Sequence, residues 1–155
     1  MAEAPFDLQR AHRWFAVELN NLAWDWVEAH SPADGAYRAI HAAHAACHHW
    51  QHVGTLLNEL RAHCLLATVY TRAGVADAAV KYADRCLELS REAGTTQTDF
   101  DRATAHACAA AAYATMGRTT DAAAQHALAL AAAGRLDDPD DRRVFDQLYT
   151  AALPR

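Results

Sequence analysis

Six glycines (Gly35, Gly54, Gly74, Gly94, Gly117 and Gly134) cut this chain into alanine-rich segments, and that punctuation limits what the chain can become. Apolar residues make up 52%, β-branched residues are few, and only four prolines occur. Alanine is the strongest helix former, and here Gly and Pro separate the periodic segments rather than interrupt them. Several glycines stand just past a helical run, where a left-handed cap belongs. Start signals complement them. "SPAD" offers Ser31 as N-cap, Pro32 at the first helical position and Asp34 three residues on. "TDFD" offers Thr98 and Asp101 as a capping box, and "DPDD" offers Asp138 ahead of Pro139.

The pattern predicts an all-α fold of about seven helices, over 7–29, 32–53, 55–73, 75–93, 99–116, 118–133 and 139–152. Connections are short except "GTTQT" and "GRLDDPDD", so neighbours should pair as antiparallel hairpins. The 155 residues suit one domain with one core. It divides into a first hairpin over 1–54, hairpins over 55–94 and 95–134, and a capping helix over 135–155.

Net charge is −5 and no basic run follows any segment, so no nucleic-acid partner is expected. No signal-peptide pattern and no uninterrupted apolar span occur, which leads us to expect a cytoplasmic chain without a membrane partner. Cys47, Cys64, Cys86 and Cys108 are far apart and form no CxxC, so they read as reduced, small apolar side chains. No GxGxxG, Walker loop or GxSxG is present, so neither a nucleotide cofactor nor a serine nucleophile is expected.

The middle of the chain repeats. At an offset of 43, Ala62 meets Ala105, His63 meets His106, Ala67 meets Ala110, Tyr70 meets Tyr113, Gly74 meets Gly117 and Ala79 meets Ala122. "HCLLATVYTRAGVADAAVKYADRCLEL" resembles a tetratricopeptide repeat. Leu66, Ala67, Tyr70, Gly74, Ala79 and Leu87 fill its Leu, small, aromatic, turn, small and Leu places. The second copy has Ala109 in place of Leu, and His63 and His106 hold the place usually taken by Trp. The resemblance covers roughly residues 60–134, with a spacing longer than that family's usual 34 or so. It implies stacked helical hairpins in a right-handed array, with a concave groove that binds a peptide or protein partner.

The stretch "AIHAAHAACHHWQHVG" concentrates His41, His44, His48, His49 and His52. At about 100° per residue, His41, His44, His48 and His52 fall within roughly 80° of one helix face. Such a stripe is either a solvated surface or a chelating face, since His44 and His48 have the i,i+4 spacing from which imidazoles hold a transition metal. A hairpin turning near residue 32 brings Glu18 and Asn21 opposite 43–46. A turn at Gly54 places His44 opposite Cys64 and close to His63. The expected metal ligands are therefore His44, His48, His63 and Glu18, with Glu18 as ligand or general base. Asn21, His41, His106, Trp14 and Trp50 are expected to line the adjoining pocket or groove. A mixed imidazole–carboxylate shell suits Zn, Cu, Fe or Ni, and an inward Cys64 would favour Zn or Cu(I). His12, His30 and His126 read as isolated surface residues.

Two functions follow as expectations. One is a transition-metal-binding helical protein, or a small metalloenzyme acting on a small molecule. The other is a non-catalytic scaffold that grips a peptide or protein partner in its groove. Exposed apolar surface on the first or last helix could also carry a homodimer.

Overall fold

In the computed structural model, which describes residues 6–29 and 35–150, seven α-helices and no strand are present. They are α1 (Leu8–Glu28), α2 (Ala36–Val53), α3 (Leu56–Arg72), α4 (Ala76–Ala93), α5 (Asp99–Thr115), α6 (Thr119–Ala133) and α7 (Pro139–Phe145). A 3-10 turn at Gly94–Thr96 precedes α5, and a π-helical turn at Asp146–Thr150 follows α7. The last helix passes from α to π geometry after Phe145, and residues 151 and 152 of its predicted span lie outside the described residues. The expected caps Ser31 and Pro32 lie outside the described residues, and the residue preceding α2 is Gly35, with no side-chain cap bond.

Where caps are described, the local chemistry explains the ends. Thr98 and Asp101 form the capping box of α5, and the Asp138 carboxylate accepts from the Asp140 and Asp141 backbone N–H groups at the start of α7. The α3 and α5 C-termini share one geometry. Val75 N–H reaches the Tyr70 carbonyl and Arg118 N–H reaches Tyr113, across Gly74 at φ 73° and Gly117 at φ 78°. That double-bonded cap needs the left-handed region, which glycine enters without a Cβ penalty. Gln97 pins the α4–α5 connection by accepting from the Ser90 hydroxyl and donating to the Ser90 and Gly94 carbonyls.

The helices pack as the hairpins α1/α2, α3/α4 and α5/α6, with α3 also against α5 and α1 against α3. The core is written mostly in alanine, with Leu60, Leu65, Leu66, Val69, Leu89 and Phe145 as its large buried members. Each fully buried Leu or Phe contributes roughly 1.5–3 kcal/mol, while alanine lets helix backbones approach closely. The apolar stripe of α1 (Leu8, Ala11, Phe15, Leu19, Leu22 and Trp26) is split: Leu8, Phe15 and Leu22 are exposed, Leu19 and Trp26 pack against the core, and Ala16, Ala23 and Val27 are fully buried. Ala39, Ala42, Ala43 and Ala46 of α2 are buried as well, so small residues fill the inner faces of both helices.

Candidate functional site

The histidine run divides among three environments. His41 is exposed, with its ring 4.4 Å from Tyr37. His44 turns to the α3/α4 hairpin, its Nε2 2.9 Å from the Tyr70 hydroxyl and its ring 5.4 Å from Tyr82. Burial, followed by the nearby His41, His63 and Lys81, pushes the His44 pKa below its ordinary value. His63 is buried beside Tyr82, and its Nδ1–H donates to the Glu59 carbonyl at 2.9 Å. One turn beyond His44, His48 faces α1 instead. Glu18 is exposed.

The structure therefore does not gather His44, His48, His63 and Glu18 as one ligand set. A single helical turn along α2 is enough to exchange α3/α4 for α1 as the neighbour. His12, expected to be an isolated surface residue, is what His48 meets. His12 stacks on His52 at 4.2 Å between centroids, and its Nδ1 lies 2.8 Å from Nδ1 of His49. His48 lies 4.8 Å from His52 and 5.6 Å from His49. Two contacting Nδ1 atoms need one to donate and the other to accept, so the pair disfavours double protonation. Partial removal from water, then the charges of His52 and His48, lowers the His12 pKa, and burial followed by the charges of His12, His48 and His52 lowers that of His49. A turn near residue 32 already sets 12 opposite 52, so the register held the clue. His30 lies outside the described residues, and His126 is half-buried with Nδ1 unpartnered.

A pocket of about 480 Å³ opens between α1, α3, α5 and the C-terminal segment. From α1 it takes Asn20, Asn21, Trp24, Asp25 and Glu28, and from the end of α2 it takes Trp50. Asn58, Arg61 and Cys64 come from α3, spaced three apart on one flank. Phe100, Asp101 and Thr104 come from α5, and Val144, Leu148 and Tyr149 complete the wall. All three asparagines of the chain are in this lining. Asp101 is 1% exposed and accepts two bonds from Arg61, at 2.7 and 3.0 Å, as well as the Thr98 N–H and hydroxyl. Burial works to raise the Asp101 pKa, but the Arg61 guanidinium and the Thr98 donors outweigh it and hold the carboxyl below its usual range.

Asn21 and Trp50 thus lie in the pocket, and three of their expected companions do not. Trp14 is 59% exposed near the start of α1, and His41 faces Tyr37. His106 donates from Nδ1 to the Gln125 amide oxygen of α6 at 2.7 Å. His63 and His106 each follow a pocket residue, Arg61 and Thr104, by two positions. That is about 200° of helix rotation, so they face the partner helix of their own hairpin.

Behind the pocket floor, Cys64, Cys86 and Cys108 meet. Their sulfur atoms all lie within 4.8 Å of one another, and no other such group of three His, Cys, Asp or Glu ligand atoms occurs among the described residues. All three are free thiols and at most 4% exposed. The Tyr149 hydroxyl lies 3.3 Å from the Cys64 sulfur. The Cys86 and Cys108 thiols donate to the Leu60 and Ala105 carbonyls, and the proximity of Cys108 and Cys86 pulls the Cys64 thiol well below its ordinary pKa while Cys108 is pushed up. Cys47 stands apart, with burial pushing its thiol up to about 11. The sequence held a signal for the trio, because these cysteines are spaced 22 residues apart each time. A turn near 75 sets 64 opposite 86, and a turn near 97 sets 86 opposite 108.

No family model, curated protein or solved structure matches this chain. No helix among the described residues is long and apolar enough to cross a membrane.

Proposed function

We propose that this chain is a binding module that takes an extended peptide bearing a basic side chain into the pocket between α1, α3 and α5. The observation that carries the reading is the convergence of Asn20, Asn21 and Asn58 on one pocket. Asparagine presents a donor and an acceptor together, which is what a backbone amide of a bound strand needs. Trp24, Trp50, Phe100 and Tyr149 supply aromatic surface, and Asp25 and Glu28 supply negative charge for a Lys or Arg. Asp101 is committed to Arg61 and to the α5 cap, so the pair shapes the wall rather than meeting the ligand. The resemblance to tetratricopeptide repeats points to the same role, with α1, α3 and α5 as the groove-forming helices. Four free buried thiols suit a reducing compartment such as the cytoplasm.

Intrinsic fluorescence tests the proposal, because Trp24 and Trp50 line the pocket. Titration with a library of short basic–apolar peptides is expected to yield saturable changes. Asn20→Ala/Asn21→Ala should weaken the best peptide up to about tenfold per lost hydrogen bond. Peptides that bind the double variant as tightly as the native chain overturn the reading.

A second reading, transition-metal chelation, is favoured by the packing of His12, His48, His49 and His52 rather than by the ligands expected from sequence. Imidazoles whose rings already crowd one another need only side-chain rotation to share an ion such as Ni(II), Cu(II) or Zn(II). Calorimetric titration with Ni(II) checks it, and His12→Ala/His52→Ala should abolish the binding.

A further inference from the structure

We propose that Cys64, Cys86 and Cys108 form a buried three-sulfur site for a soft monovalent metal ion, Cu(I). One thiol comes from each of α3, α4 and α5, and the three sulfurs lie within 4.8 Å of one another without a disulfide. Metal–thiolate bonds of roughly 2.3 Å in a trigonal plane set sulfurs about 4 Å apart, so an ion fits with little movement of the helices. Thiolate donors select soft ions. The donor number selects among them, since no His, Asp or Glu completes the group among the described residues. Zinc in a structural site takes four ligands, whereas three sulfurs satisfy Cu(I).

Packing alone does not ask for sulfur here. The same three helices fill their core otherwise with alanine and leucine, as at Ala67, Ala83 and Ala105. Cys64 lines the pocket between α1, α3 and α5, and Cys108 lines a small cavity shared with Tyr149. Binding changes no oxidation state. Cu(I) leaves its carrier ligand, metal–sulfur bonds form, and each sulfur that binds as thiolate releases its proton to solvent. A shell of three thiolates thus releases three protons for each Cu(I) bound.

The full chain without an affinity tag, reduced and oxygen-free, is titrated with Cu(I) against a chromophoric Cu(I) chelator. One Cu(I) per chain is expected, with an X-ray absorption shell of three sulfurs. Cys86→Ala should weaken binding at least about 100-fold, since loss of a mere supporting group costs 10–100-fold. His12→Ala/His52→Ala should bind Cu(I) as the native chain does, which separates this site from the imidazoles. Helical circular dichroism checks that Cys86→Ala folds, and the absorption shell of the native chain decides the matter if it does not. A shell dominated by nitrogen, no stoichiometric Cu(I), or unchanged affinity in folded Cys86→Ala overturns the proposal.

Discussion

The imidazoles of α2 and the thiols of α3, α4 and α5 are opposites in sequence and in space. Five histidines crowd into residues 41–52, yet they serve three environments and only three of them join one cluster, with His12 from another helix. Three cysteines separated by 22 residues at each step come together in the core. A helix disperses neighbours in sequence around its circumference, and hairpin stacking collects residues that share a register. Density along the chain is therefore a poor guide to convergence, and register is a good one.

The two regions should also differ in what they do for stability, and the largest effect is expected beside the thiols. Asp101, which neighbours Cys64 in the pocket lining, is buried and accepts from Arg61 and Thr98. Asp101→Ala removes a buried acceptor and an N-terminal helix cap together. It should lower the unfolding free energy by about 2–4 kcal/mol in urea or guanidinium denaturation. His48→Ala at the exposed rim of the imidazole cluster should stay within about 0.5 kcal/mol. Equal losses in the two variants would break the contrast between a core organised by register and a surface decorated by composition.

Gly74 sharpens the same contrast, because its left-handed turn sets α3 against α4 and so sets Cys64 opposite Cys86. Gly74→Ala meets no atom within 4 Å, and only the backbone at φ 73° is strained. The expected cost is about 1–2 kcal/mol with the fold retained. A fully folded variant of native stability would mean that the turn does not hold the register.

How much of this was legible follows from the same distinction. The helices were legible because glycine caps, Thr98–Asp101 and Asp138–Pro139 act over a few residues. Hairpin register set Asn21 opposite 43–46, beside the histidines, whereas Asn21 and Trp50 line the pocket between α1, α3 and α5. The buried face of α1 is set by small residues, Ala16 and Ala23, while the larger Phe15 and Leu22 stay exposed. The pocket's other members, Asn20, Trp24, Arg61 and Tyr149, come from three separate elements, and no local pattern announces them. The thiol trio was legible in its equal spacing, but each cysteine taken singly looked like packing.

Acid should separate the regions without any substitution. His12, His44 and His49 are held below their ordinary value of 6.5, so below that pH the unfolded chain binds more protons than the folded one. Their contribution is fully present above about pH 6.5 and declines as pH falls through the window beneath it. Asp99, held down by Arg135, and Asp101 act lower. Their contribution is present above about pH 4 and is lost as pH falls further. Thermal midpoints should thus fall in two steps on acidification. His12→Gln/His49→Gln should flatten the upper step and leave the lower one. A variant that keeps the whole upper step would assign it to His44, on the α3/α4 side.

The smallest effect is expected at His41, and it tests whether phase on a helix carries any meaning by itself. His41 shares the narrow stripe with His44, His48 and His52, so an argument from angle alone gives it equal standing. The structure gives it one exposed aromatic contact, to Tyr37, which is itself 72% exposed. A contact between two solvated rings offsets little of the rotamer entropy it restricts, so His41→Ala should change stability by less than about 0.5 kcal/mol. It should also leave Ni(II) and Cu(I) titrations at their native stoichiometry, because His41 borders neither cluster. A clear loss in either titration would return the site to the stripe and to a ligand set drawn from one helix. In that case the tertiary grouping of His12 with His48, His49 and His52 would be incidental packing.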